Sequence, residues 1–559
     1  MLVRIFLILT VSLTLPFLAT AQAADGTSCY WIYFRDKNLS ASDRQQALVS
    51  AEQNLTPRAH ARREKNHVPL ADDYDLPVAP AYIEQVQATG VRIRTVSQWP
   101  NAVSVETTPA QVAQIGQLPC ISNVEPFRLQ KVDMTPRPQP RGALDYDYGS
   151  SFRQDSICHI PELHARGLYG QGVMIGFLDS GYRLTHRAFD SLHIVARYDF
   201  VHNDTTVQYI AGEDSFGQDW HGTQCLSACA GLDNGHLVGP AIHADYLLAK
   251  TEWVPTETHA EEDYFVAGLE WCDAHGADVI SSSLGYNGTP GDMWYTFQQL
   301  DGHTAPTTRG FEVAAAHGIL CVNAAGNERH NTEWPHIVTP ADADSILAVG
   351  GVNPDGQITY SSSPGPTGDG RIKPEVCALG VSVNVAVVDT TPGIDYGSQS
   401  GTSVAAPMVA GAAALIMEAH PTWTAQMVRQ AIMSTASNAG NPNNDYGWGI
   451  VNALAAADYV FEDVPDGRGS MPRSTLLLSS YPNPVNGTVT LTLSIPNESS
   501  GNLVIYDLLG RAAFTWPQTR WAAGEQHVTL STEGFNSGIY FARFEGTSGH
   551  ATQKLVILK

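Results

Sequence analysis

Hydrophobic and polar positions divide the chain into stretches of different period. From about residue 25 to 140, CYWIYFRD reads as a strand and ASDRQQALVSAEQNL as a polar helical stretch. AYIEQVQATG then reads as a helix, VRIRTVSQ and NAVSVETT as alternating strands, PAQVAQIGQL as a helix and ISNVEPF as a last short strand. The order strand, helix, strand, strand, helix, strand predicts a small ferredoxin-like α+β domain over residues 24–140.

Residues 145–460 lose the alternation. GVMIGFLDSG, ADYLLAKTE, GADVISSSLG, GILCVNAAGN and DSILAVGGV are near-continuous apolar runs, separated by the helical stretches HGTQCLSACAG, EEDYFVAGLEWCDAHG and SVAAPMVAGAAALIMEAH. Strands buried on both faces have no polar side to show, so the pattern predicts a three-layer α/β domain around a mostly parallel sheet. Functional groups then belong at the carboxyl ends of its strands. Residues 474–559 return to short strands between turn residues, TVTLTLSIP, GNLVIYDLLGR, HVTLST, GIYFARFEG and TQKLVILK, which predicts a small antiparallel β-sandwich.

The joins are compositional. KVDMTPRPQPRGALDYD, rich in proline and arginine, separates the first two blocks, and a polar Gly/Pro linker over residues 461–473 separates the last two. The start, MLVRIFLILTVSLTLPFLATAQAADG, has a basic residue, a short apolar run and small residues before a cleavage position, so residues 1–23 read as a signal peptide. No later stretch reads as apolar enough to cross a bilayer, and the mature protein is expected to lack a membrane span.

A net charge of −24 repels phosphate backbones and argues against nucleic-acid binding. Eight cysteines in an exported chain could pair, but Cys225, Cys272, Cys321 and Cys377 lie in apolar or small-residue stretches. Cys225 and Cys229 are four apart on a predicted helix, and Cys29 and Cys120 fall at opposite ends of neighbouring antiparallel strands. No pairing is assigned.

Candidate chemistry concentrates in the middle block. Asp179 ends the apolar strand IGFLDSG, where a buried carboxylate demands a polar partner. His221 stands at a helix start in DWHGTQCLSACAG. Asn327 follows Gly326 at a strand end in LCVNAAGNE, and Ser403 lies in GTSVAAPMVAG, crowded by residues with almost no side chain. Separately, each has an ordinary structural explanation, such as a turn, a cap or a helix start. THAEEDYF could be taken for a metal cluster, but Thr258 and Glu261 read better as a capping box.

Together these stretches resemble the subtilisin-like serine proteases, or subtilases, over most of residues 148–455. DSG at Asp179, HGT at His221, AAGN at Asn327 and GTSxAAP at Ser403 stand in the family's order. The resemblance implies Ser403 as nucleophile, His221 as general base, Asp179 as its orienting carboxylate and Asn327 as an oxyanion donor. It also implies that substrate lies as an added strand against Ser283, Leu284 and Gly285, with Ala324, Ala325 and Gly326 as a pocket wall. Glu333 and Trp334 sit in a loop placed to contribute to that pocket. Gly401 and the alanines around Ser403 leave room for a tetrahedral centre, and Pro407 is read as lying in the first helical turn.

Residues 25 to about 140 resemble a subtilase propeptide, with a permanent accessory domain as the alternative. YPNPVNG, IYDLLGR and the closing strands resemble the sorting domain of the bacterial type IX secretion system, and more loosely the immunoglobulin-like modules that would be retained for binding. The expectation is therefore a secreted or surface-exposed serine endopeptidase made as a zymogen. Its partners would be protein or peptide substrates, its own propeptide and the secretion machinery. The rival reading is a catalytically silent binding protein on the same scaffold. No metal site is assigned from the residues, and structural calcium is an implication of the resemblance alone.

Overall fold

The structure, a computed structural model, describes residues 28–127, 146–254, 261–286, 295–388 and 395–461, and most of 477–557. The expected signal peptide, the Pro/Arg-rich join and Thr258 lie outside the described residues. The chain forms two compact units that divide between Tyr459 and Val460.

In the first unit, β1 (Ser28–Phe34), α1 (Ala41–Asn54), α2 (Pro57–Lys65), α3 (Pro80–Gln87), β2 (Arg92–Ser97), β3 (Ala102–Thr107), α4 (Pro109–Ile115) and β4 (Ile121–Phe127) build the N-terminal domain. Its sheet runs β2-β3-β1-β4 and is antiparallel throughout. Cys29 pairs with Phe127 at one end of the β1–β4 ladder and Phe34 with Ile121 at the other, so Cys29 and Cys120 are held far apart, as expected. Ile32, Val103 and Val105 turn to the helices of this domain, whereas Trp31 and Ala102 form a second buried cluster on the other face.

That second face meets the large domain. Ser104 donates to Asp263, Arg94 pairs with Asp263 at 3.1 Å, and Ser97 donates to Glu270 at 2.6 Å. Helix α2, which the strand and helix order above does not contain, inserts Arg62 and Arg63 into a buried network with Asp273. A buried charge costs free energy unless it is paired and hydrogen-bonded. Arg62 accordingly donates to the carbonyls of Ala277 at 3.0 Å and His317 at 3.1 Å, and Arg63 donates to Asp75 at 2.7 and 2.8 Å.

The large domain opens with α5 (Phe152–Ser156) and α6 (Ile160–His164). It continues through β5 (Met174–Asp179), β6 (His193–Asp199), α7 (Trp220–Ala230), the short pair β7 (Leu232–Asp233) and β8 (Leu237–Val238), β9 (Asp245–Lys250), α8 (Glu261–His275) and β10 (Val279–Ser282). Then come α9 (Pro306–Ala316), β11 (Leu320–Ala324), β12 (Leu347–Val352), β13 (Val376–Leu379), the hairpin β14 (Val383–Ala386) and β15 (Tyr396–Gln399), α10 (Thr402–Ala419), α11 (Ala425–Thr435) and α12 (Ala453–Ala457). Seven strands form one parallel sheet in the order β13-β12-β11-β10-β5-β9-β6.

Alternate residues of β5 show why no polar face exists. Ile175 and Phe177 pack with α7, α10 and α11, while Met174 and Leu178 pack with α8 and α9. Helix α10 is long and apolar enough by composition to cross a membrane, contrary to the expectation from sequence. It lies almost wholly inside the core, where an all-round apolar helix also belongs.

The C-terminal unit contains β16 (Leu477–Tyr481), β17 (Thr488–Ile495), β18 (Ser499–Asp507), β19 (Ala512–Thr515), β20 (Arg520–Trp521), β21 (Gly524–Ser531), β22 (Gly538–Gly546) and β23 (Gly549–Ile557). Antiparallel sheets β16-β17-β21 and β19-β18-β22-β23 share a core that includes Leu491, Ile505, Trp521, Phe544 and Leu555.

Candidate functional site

Strand order reverses at β5, because the chain places β9 and β6 on one side of it and β10 to β13 on the other. Side chains leaving the carboxyl ends of β5 and β10 therefore meet over a crevice. Asp179, the last residue of β5, is 1 % exposed. Its Oδ1 accepts hydrogen bonds from Ser180 N at 2.7 Å and from His221 Nδ1 at 2.8 Å.

His221 occupies the first turn of α7, and Gly222 beside it permits the approach of the two elements. A Cβ on Gly222 would lie 2.3 Å from the Gly181 carbonyl oxygen and 3.1 Å from Asp179 Oδ1. Any side chain there would push helix and carboxylate apart. Burial opposes a charge on His221, but the neighbouring Asp179 outweighs it and holds the imidazole pKa well above the ordinary histidine range. The carboxylate also fixes the tautomer, with the proton on Nδ1 and Nε2 free to accept.

Ser403 is the second residue of α10, entered through Gly401 at φ 143°, and its Oγ is buried without a hydrogen-bond partner. Helix α10 begins at Thr402, so Pro407 lies beyond the first turn, and the reading from sequence is corrected. A proline there lacks the N–H that would bond the carbonyl four residues earlier, which is that of Ser403. The Ser403 carbonyl instead accepts from Ser283 Oγ at 2.6 Å and Cys225 Sγ at 3.3 Å.

Cys225 thereby joins the two halves of the site, because its Sγ is also 3.7 Å from His221 Nε2. Burial raises the thiol pKa, which keeps it neutral. The sequence reading places this cysteine only in an apolar or small-residue stretch, although the i, i+4 spacing from His221 already puts both on one helix face.

Asn327 lies just beyond β11. Its Oδ1 accepts from Thr402 N at 3.0 Å and faces Thr402 Oγ1 at 3.3 Å, so the amide oxygen is held against the start of α10. Ser283, Leu284 and Gly285 continue past β10. Leu284 is buried, Gly285 is exposed, and no backbone hydrogen bond joins Ser283 or Gly285 to another strand among the described residues. Opposite them, Ala324 ends β11, Ala325 is fully buried, and Gly326 receives a hydrogen bond from Thr402 Oγ1 at 3.2 Å. Glu333 is exposed, but Trp334 is buried and spends its indole N–H on the Ile337 carbonyl at 3.0 Å, so it packs inward.

Two clusters of metal-ligating side chains occur among the described residues. Asp179, His221 and Cys225 form one, and Asp72, Asp75 and His317 the other, which Arg63 already neutralises through Asp75. Neither offers the all-oxygen shell that calcium takes.

A family model described as the subtilase family, Peptidase S8, matches residues 170–449. A second, the Peptidase S8 propeptide domain of Bacteroidota, matches residues 29–141, and a secretion system C-terminal sorting domain matches residues 479–558. Subtilisin E of Bacillus subtilis is 34 % identical over 298 residues, covering 53 % of this chain and 68 % of its own. Subtilisin of Bacillus pumilus is 34 % identical over 302 residues, 53 % of this chain and 95 % of its own. An alkaline protease of Alkalihalobacillus alcalophilus is 30 % identical over 355 residues, 63 % of this chain and 78 % of its own.

Proposed function

This chain belongs to the subtilase family of serine endopeptidases and carries a sorting domain for export, and from that premise we propose that it cleaves peptide bonds with Ser403 as nucleophile, His221 as general base and Asp179 as the orienting carboxylate. The observation that carries the reading is the 2.8 Å bond from His221 Nδ1 to Asp179, which leaves Nε2 as a base beside the start of α10.

His221 Nε2 takes the Ser403 proton as Oγ attacks the scissile carbonyl, then returns it to the leaving amine. Water repeats the cycle on the acyl-enzyme. Asp179 stabilises the imidazolium without taking the proton. The Ser403 Oγ has no competing partner to release, and hydrogen bonds of this kind tighten once substrate arrives. The Asn327 amide and the Ser403 backbone N–H stabilise the oxyanion. Substrate adds as a strand along Ser283–Gly285, where no backbone hydrogen bond joins Ser283 or Gly285 to another strand among the described residues, and lies against Ala324–Gly326.

The N-terminal domain acts as an inhibitor and folding aid in a zymogen. Its support is the buried Arg62, Arg63 and Asp273 network, which fixes it to the large domain before any processing. Parallel sheets fold slowly because their contacts are non-local, which gives such an aid a physical purpose.

The test compares wild type with Ser403→Ala in fluorogenic-peptide hydrolysis, intact mass and labelling by a serine-directed phosphonate. Turnover, labelling and loss of the N-terminal domain in wild type alone are expected. A folded wild type that neither turns over nor labels overturns the assignment.

A further inference from the structure

The gap between the two proposed substrate walls is filled by a side chain from elsewhere in the chain. A Cβ placed on Gly285 would lie 2.2 Å from Val338 Cγ2, and one placed on Gly326 would lie 3.0 Å from the same methyl and 3.1 Å from Val338 Cγ1. Val338 therefore stands between the two glycines, with both methyls turned into the space they leave.

Its position is not adjustable at low cost. Val338 N donates to the Ala325 carbonyl at 3.2 Å, and the next residue, Thr339, exchanges backbone hydrogen bonds with Tyr286 at 2.8 and 3.0 Å. The segment is thus tied to both walls at once. Val338 is 5 % exposed and packs with Ala325, Trp334 and Ile337, which support it from behind. A β-branched residue also has few rotamers through which to withdraw.

We infer that Val338 closes the pocket for the residue on the acyl side of the scissile bond, and that the enzyme cuts after alanine, glycine or serine rather than after large apolar or aromatic residues. A methyl or hydroxymethyl group fits above Val338. A phenyl or isobutyl group would need the space that the two methyls occupy, and interiors this dense forfeit packing energy when overfilled. The substrate class is therefore small-residue-rich protein sequence. This inference rests on the assignment of Ser403 as nucleophile and of Ser283–Gly285 as the substrate edge.

The experiment measures kcat/KM of wild type, Val338→Ala and Val338→Gly on tetrapeptide p-nitroanilides that differ only in an acyl-side Ala, Leu or Phe. Active-site concentration is set by phosphonate titration of each preparation. Wild type should prefer Ala to Phe by about 10-fold or more, since each extra methylene or its exclusion is worth roughly 10- to 200-fold in a pocket. Val338→Gly should gain at least about 10-fold on Phe, mainly through KM, and change little on Ala, with Val338→Ala in between. If the cavity left by glycine prevents folding, the alanine variant alone carries the comparison, because it keeps a side chain in the cluster. A wild type that prefers Phe or Leu, or variants with an unchanged Ala/Phe ratio, overturns the inference while leaving the nucleophile in place. No turnover of any substrate together with no phosphonate labelling overturns both.

Discussion

Ser283 Oγ donates to the carbonyl of Ser403 at 2.6 Å, supplying the hydrogen bond that Pro407 cannot. One residue thus links the proposed substrate edge to the helix that presents the nucleophile. Cys225 Sγ still donates to that carbonyl at 3.3 Å, so losing the Ser283 bond costs about 0.5–1.5 kcal/mol rather than the full penalty of an orphaned acceptor. Ser283→Ala should lower both the melting temperature and kcat. The double variant Ser283→Ala/Pro407→Ala, which restores a helical N–H, should recover part of the stability. Equal melting temperatures for the single and double variants would show that the carbonyl needs neither partner.

Gly222→Ala tests the contact between α7 and the end of β5. The added methyl has nowhere to go except against the Gly181 carbonyl and Asp179. A misplacement of about 1 Å in such a site costs roughly 100-fold in rate. kcat/KM should fall by about that factor with near-native circular dichroism, and an unchanged rate would mean that the Asp179–His221 geometry tolerates displacement.

Asn327→Ala should cut kcat by about 100- to 1000-fold with a smaller change in KM, the loss expected when one oxyanion donor is removed. The measurement is steady-state kinetics on a titrated preparation. An effect confined to KM would assign Asn327 to substrate binding in the ground state instead.

The acid limb of the pH–rate profile should follow His221. Its pKa is raised by Asp179 against the effect of burial, and only the unprotonated ring accepts a proton from Ser403. kcat/KM should therefore rise with pH to a half-maximum above 6.5, the ordinary value. Asp179→Asn should depress the plateau and move that half-maximum down. A half-maximum below 6.5 in wild type would contradict the electrostatic account.

The contact between the N-terminal and large domains should weaken toward alkaline pH. Burial pushes the Glu270 carboxyl up to about 7 although Ser97, Trp99 N, Gln98 N and Lys37 all favour its charge. A raised carboxyl pKa means that the folded state holds a proton the unfolded chain releases, so stability is lost as pH climbs from about 4.5 to 7. Burial also opposes charge on His317, but Asp273 and Asp72 carry its pKa up to about 9, and its contribution, full below 6.5, is lost as pH rises through that value. In a Ser403→Ala background, Glu270→Gln should match its parent near pH 4.5 and gain in melting temperature relative to it by pH 8. A difference that stays constant across this range would remove Glu270 from the account.

The site was legible in proportion to how local its demands are. Asp179, His221, Asn327 and Ser403 each need a particular neighbour in the chain, a strand end, a helix start or a glycine, and those neighbours are visible as text. Helix α2 was not legible. Its sequence PRAHARREK has a strongly polar composition that reads as solvated surface, yet Arg62 and Arg63 are buried because Asp273 lies opposite them. Edge strand β6 was equally opaque, since its apolar run is only the three residues Ile194–Ala196 and its side chains up to Tyr198 alternate between exposed and half-buried.

Periodicity alone determined the three blocks, the parallel sheet and its covering helices, because burial on one face or two imposes its period on any chain that folds so. The candidate triad came from the resemblance of the DSG, HGT, AAGN and GTSxAAP stretches, in that order, to the subtilases, and the chemistry agrees with it, because a serine hydroxyl needs a base and an oriented imidazole. Tertiary structure alone decided what fills the space around them. Cys225 and Ser283 on the Ser403 carbonyl, and Val338 between Gly285 and Gly326, are contacts made between separate elements. Packing distances of a few ångströms between such elements depend on how every layer of the core stacks, and no local pattern encodes that sum.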